Sequence, residues 1–211
     1  MKKTISVLCA LLLACLTVTA FADSAVIRPE TPETLKTLIG GKSFSARITG
    51  LDSTGEDEDT KYSITLTVCE RDVFDAAAIE NLTAGDILYF GNGTATMVME
   101  VTSDEYGFTV KGGTSDTYLF NRTEEGTYYA TTETDYPFWT EVFTVTVPLE
   151  KDISFLDWSD PENLEEPVKL GFDELLDLLL EKTDFAPYNT KVSFDENGKL
   201  TELLYNYSPW N

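Results

Sequence analysis

The chain has 211 residues, with 15 lysines and arginines against 37 aspartates and glutamates, and no histidine. Its net charge of −22 repels nucleic acid and anionic lipid headgroups and favours cationic partners or metal ions. The missing histidine excludes Ser-His-Asp and Cys-His catalysis, histidine-ligated zinc and the usual proton shuttle near neutral pH.

Lys2 and Lys3 open the chain, and an apolar run from Ile5 ends in Ala20-Phe21-Ala22, the small-x-small pattern that a signal peptidase cuts. Residues 1–22 therefore read as a signal peptide of bacterial style, and the mature chain as a secreted protein starting at Asp23. The run is too short for a stable membrane span. Leu12-Leu13-Ala14-Cys15 offers an alternative, a lipobox that would leave the protein lipid-anchored through Cys15. Loss of Lys2 and Lys3 moves the net charge from −22 to −24. Cys69 is then the one cysteine beyond the signal, which rules out an intramolecular disulfide and a four-cysteine metal site. Stability must come from a hydrophobic core, for which 42% apolar and 12% aromatic content suffices.

Thr31-Pro32-Glu33 has the order of an N-cap, a first-turn proline and an acid, and Gly40-Gly41 the form of a stop. A short helix is expected between them. From Ser43 the period becomes two. Phe44, Ala46 and Ile48 alternate with polar residues, as do Tyr62, Ile64, Leu66 and Val68, across an acidic loop from Asp52 to Thr60. A second short helix is expected within Val73–Leu82. Strands follow at 87–90 and 95–101 around the turn Gly91-Asn92-Gly93, then at 106–111, 116–121, 127–132 and 139–148. Trp139 shares its alternation with Phe143, Val145 and Val147, which places it in the core, while Cys69 falls on the outer face or in a secondary contact. Phe172, Leu175, Leu176, Leu179 and Leu180 define an amphipathic helix over 171–182. A hairpin closes the chain, Lys191–Phe194 with Lys199–Tyr207, through Asp195-Glu196-Asn197-Gly198.

Short strands at this spacing imply an α+β fold, predominantly antiparallel β, barrel- or sandwich-like, with a short N-terminal helix and a C-terminal helix plus hairpin. Residues 23–150 form the β-rich domain, and residues 151–211 a helix-and-hairpin segment packed on it.

Candidate chemistry is sparse. Gly40-Gly41-Lys42-Ser43 has the ending of a phosphate-binding loop, but Lys36 stands where its first glycine is needed and the helix precedes the glycines. Asp52, Glu56, Asp57, Glu58 and Asp59 could take calcium weakly through hard oxygen ligands, although Asp57 and Ser63 occupy the glycine and glutamate positions of an EF-hand. Asp157-Trp158-Ser159-Asp160 is the candidate ligand site. The Trp158 ring can cover the C–H face of a sugar while Asp157 and Asp160 accept its hydroxyl protons. Trp210, near the end, could pin the terminus or project into a partner.

The composition implies a secreted, acidic, non-catalytic binding or interaction module, without a cofactor, that meets an extracellular ligand or protein. Two other classes fit the same residues: a carbohydrate-active enzyme using paired carboxylates, and a structural component of an envelope assembly.

Overall fold

The computed structural model describes residues 24–30, 40–56, 59–162, 165–182 and 184–208. The expected signal peptide, the lipobox around Cys15, the helix after Thr31 and Trp210 lie outside the described residues, as do Asp57 and Glu58.

Two seven-stranded sheets and two helices make up the described fold. The first sheet contains β1 (Val26–Ile27), β5 (Ile87–Tyr89), β6 (Ala95–Ser103), β7 (Gly107–Gly112), β8 (Thr117–Arg122), β9 (Tyr128–Thr132) and β4 (Val73–Phe74), in that spatial order. The second runs β10 (Trp139–Leu149), β3 (Lys61–Arg71), β2 (Ser43–Thr54), β13 (Thr190–Phe194), β14 (Leu200–Asn206), β11 (Ser154–Trp158) and β12 (Val168–Leu170). Most neighbours are antiparallel, and β1–β5 and β11–β14 are parallel, so both sheets are mixed. Neither closes into a barrel.

The first core is aromatic. Phe90 stacks on Phe138 at 4.1 Å and on Tyr118 at 4.9 Å, and Phe74 meets Phe120 edge-on at 5.3 Å. Helix α1 (Ala76–Glu80) covers it through buried Ile79, and is shorter than the Val73–Leu82 expectation because Val73 and Phe74 pair with β9 as a strand. The Asp75 carboxylate accepts from the Ala78 N–H and starts the helix.

The second core lies between the sheet and helix α2 (Phe172–Glu181). Ile64, Leu66, Val68, Phe155, Val192 and Leu203 meet Leu175, with Leu176, Leu178 and Leu179 at the rim. The helix buries the face expected of it except for Leu180, which is 72% exposed and is replaced at the contact by Leu178. Residues beyond 150 do not form a separate layer. β11–β14 hydrogen-bond into the same sheet as β2, β3 and β10, and α2 packs on it.

A β-bulge between Glu141 and Phe143 corrects the expected placement of Trp139. Beyond it Phe143, Val145 and Val147 sit opposite Val68, Leu66 and Ile64 on the core side. Before it Glu141 and Trp139 sit opposite Cys69 and Arg71, on the other face. One inserted residue reverses the alternation, and Trp139 leaves the core for the seam between the two sheets.

Candidate functional site

The Asp157-Trp158-Ser159-Asp160 cluster lies at the end of β11. Asp157 and Trp158 are half-buried, and Trp158 is held in register opposite Asn206 with its carbonyl accepting from the Tyr207 N–H. The Asp157 carboxylate accepts from the Ser159 N–H at 2.8 Å, and Asp160 from the Glu162 N–H at 2.8 Å. One oxygen of each acid is therefore used to turn the chain.

The hairpin turn behaves similarly. Asp195 accepts from the Lys199 and Asn197 N–H groups, and these bonds hold its carboxyl below the usual range. The Gly41 N–H donates to the Asp195 carbonyl, so the glycine pair anchors this hairpin rather than a phosphate cradle. Among the described residues no three acids or cysteines gather closely enough to hold a metal ion, and no helix is long and apolar enough to cross a membrane.

A cleft of about 640 Å³ lies elsewhere, at the joint ends of β3 and β10 and the start of α2. Tyr62 enters from β3 and Phe172 from the first turn of α2, with ring centroids 5.9 Å apart and edge to face. Asp59, Lys61, Glu150 and Lys151 line the same cleft. The strand pair fixes this arrangement, since Tyr62 sits opposite Leu149 in the β3–β10 register. Glu174 accepts from the Gly171 N–H at 2.7 Å and sets where α2 begins, which places Phe172 at the cleft. A half-buried aromatic corner ringed by charges of both signs suits a polar ligand with an apolar face.

A second concavity follows the seam between the sheets. Arg47, Cys69, Asn92, Trp139 and Glu141 line about 430 Å³, and across the Gly91–Gly93 turn Arg28, Glu30, Tyr89 and Thr140 line about 300 Å³ more. Arg47 pairs with Glu141, and the Arg28 guanidinium lies 3.9 Å over the Tyr89 ring. The Trp139 Nε1 is buried without a hydrogen-bond partner among the described residues. Cys69, on the face away from the second core, is buried in a secondary contact at this seam, and burial pushes its thiol up to about 11, with Arg47 opposing the rise and Glu141 adding to it. So high a value leaves almost no thiolate and makes Cys69 a packing residue.

Asp72 lies beneath this seam, 1% exposed, and joins the sheets. It accepts from the Gly91 N–H at 2.6 Å and from the Thr140 hydroxyl at 2.7 Å. Burial holds its carboxyl above the usual range, while these two bonds pull the other way.

Comparison with known proteins finds no matching family model, no matching curated relative and no matching solved structure.

Proposed function

We propose that this chain is an exported, non-catalytic binding module that takes its ligand in the Tyr62–Phe172 cleft. The observation that carries this reading is the cleft itself, which combines size, an aromatic corner and four flanking charges at one place. The lack of histidine and the inert Cys69 leave carboxylates as the only strong acid-base groups near neutral pH. The ligand is an extracellular molecule with both charged or hydroxylated edges and an apolar face.

A panel of soluble oligosaccharides and short peptides, screened by thermal shift, tests the reading. At least one member should raise the melting temperature of the parent protein. Lys61→Ala/Lys151→Ala, which alters two exposed side chains, and Phe172→Ala should each weaken that ligand by about ten-fold, or roughly 1.4 kcal/mol. Trp158→Ala should leave the affinity within about two-fold, on the order of 0.4 kcal/mol. The reverse pattern would return the site to Asp157, Trp158 and Asp160. Asp59 and Glu150 also give the cleft the paired carboxylates that glycoside hydrolysis needs. Turnover of a panel sugar, lost in Asp59→Asn or Glu150→Gln, would replace the binding reading by that one.

Export has its own test. Intact mass of the naturally secreted protein should place its N-terminus at Asp23, after the Ala20-Phe21-Ala22 signal. A diacylated N-terminal Cys15 would move the protein to the membrane surface.

A further inference from the structure

Among the described residues the two sheets have four edge strands, and three of them are short. β1 and β4 have two residues each and β12 has three, whereas β10 has 11. Short edges protect a sheet from adding a foreign strand, and a long uncharged one invites it. From Val142 to Leu149 β10 carries no charge, in a chain where 25% of residues are charged. We propose that β10 is a self-association edge, along which a second copy of this chain pairs antiparallel about a two-fold axis at Val145.

The register follows from Pro148. Proline has no N–H to donate, so within a sheet its nitrogen faces away from the neighbouring strand. Pro148 stands opposite Ser63 in an unbroken register from Phe143 to Leu149. Its nitrogen therefore faces the open side, and by the period of two so do the N–H and C=O groups of Thr146 and Thr144. No described residue hydrogen-bonds to that side of β10.

Pairing about Val145 sets Thr144 against Thr146 of the second copy, so that each such pair exchanges two backbone hydrogen bonds. The side chains match as well. On the outer face Thr146 already shares a hydroxyl bond with Thr65 at 2.8 Å, and Thr144 with Thr67 at 3.0 Å. The pairing joins these into two rows of four threonines across four strands. On the core face Val145 meets its own copy and Phe143 meets Val147, which covers the half-buried Phe143 and Val145 at the rim of the second core. An unrelated strand could use the same backbone groups, but the self-complementary order Phe-Thr-Val-Thr-Val favours a second copy. With −24 on each chain once Lys2 and Lys3 leave with the signal, association should tighten as salt rises and the Debye length falls from about 30 Å at 0.01 M to about 10 Å at 0.1 M.

Sedimentation of the mature secreted protein should give the mass of two chains at micromolar concentration in 0.1 M salt, with a weaker dimer at 0.01 M. Thr144→Glu/Thr146→Glu places like charges opposite each other in both Thr pairs and should raise the dissociation constant by roughly ten-fold or more, with circular dichroism unchanged. Val145→Cys should form an intermolecular disulfide in air, because directly opposed non-hydrogen-bonded residues have Cα atoms about 4.5 Å apart. Thr49→Cys, on the exposed part of β2 away from the edge, should not. A single-chain mass under all these conditions overturns the proposal. So does a dimer that survives the double glutamate variant with no Val145→Cys crosslink, or a monomer whose β10 amides gain exchange protection only from an added peptide.

Discussion

Gly91→Ala is expected to destabilise the protein by about 3 kcal/mol or more, the upper range for forcing extra volume into a packed site. A chain of this size should then melt roughly 6–12 °C lower. A Cβ at Gly91 would overlap the Thr140 hydroxyl oxygen and lie 2.5 Å from a carboxylate oxygen of Asp72 and 2.7 Å from the Thr140 Cα. The hydroxyl could rotate, but the Thr140 backbone belongs to β10 and Asp72 is buried, so relief requires the two sheets to separate. Gly93, two residues on, provides the control. Its φ of +85° needs glycine, yet a Cβ there meets nothing within 4 Å, so Gly93→Ala should cost only the left-handed strain of about 1–2 kcal/mol. Equal melting temperatures for the two variants would mean that the close approach at Gly91 does not hold the sheets together.

These two glycines also mark how far the sequence can be read. Gly91-Asn92-Gly93 announces a turn, and the structure has one, closed by the Phe90 N–H to the Thr94 carbonyl. That Gly91 is there for a close approach rather than for the turn depends on Thr140, which no local pattern brings near. Local periodicity was sufficient for β2, β3 and most of α2, whose apolar residues pack on one core. It was insufficient for β11. Ser154–Trp158 is only five residues long, and its partner β14 lies parallel and more than 40 residues away, while the acids around it give the appearance of a loop. The bulge after Glu141 is similarly silent, because an extra residue in an alternating stretch looks like one more strand position until the partner's register is known. The Tyr62–Phe172 cleft combines residues from 59–62, 148–151 and 172. None of these segments carries a motif, so Trp158, which stands beside acids in the sequence, drew attention instead. Asp72 is a single acid after a strand among 37 acidic residues, and only burial distinguishes it.

Replacing Asp72 gives the second large effect. Asp72→Ala should cost about 2–3 kcal/mol near neutral pH, since the half-buried Gly91 N–H is left without its acceptor and the Thr140 hydroxyl loses its own. Asp72→Asn should cost less, about 1 kcal/mol. Its amide oxygen can take the Gly91 N–H while its NH₂ donates to the Thr140 hydroxyl. The pair of proteins also isolates the charge. Burial holds the folded Asp72 carboxyl above its ordinary 3.8, so the folded state keeps the proton to higher pH than the unfolded chain. Stability from this group is full below the ordinary value and is lost as pH rises through the folded one. Asp86 acts in the opposite sense. Burial raises its carboxyl, but the Thr83 and Ala25 N–H groups and the Thr83 hydroxyl outweigh that and hold it below the usual range, so its contribution is lost as pH falls. That loss is common to both proteins and cancels between them. Urea unfolding of the parent protein and Asp72→Asn should therefore show the parent gaining relative to the variant as pH falls from the folded Asp72 value toward about 4. A difference that stays flat with pH, or that grows in favour of the variant on acidification, would mean that the carboxylate is stabilised in place and that the strain of a buried charge does not exist at this seam.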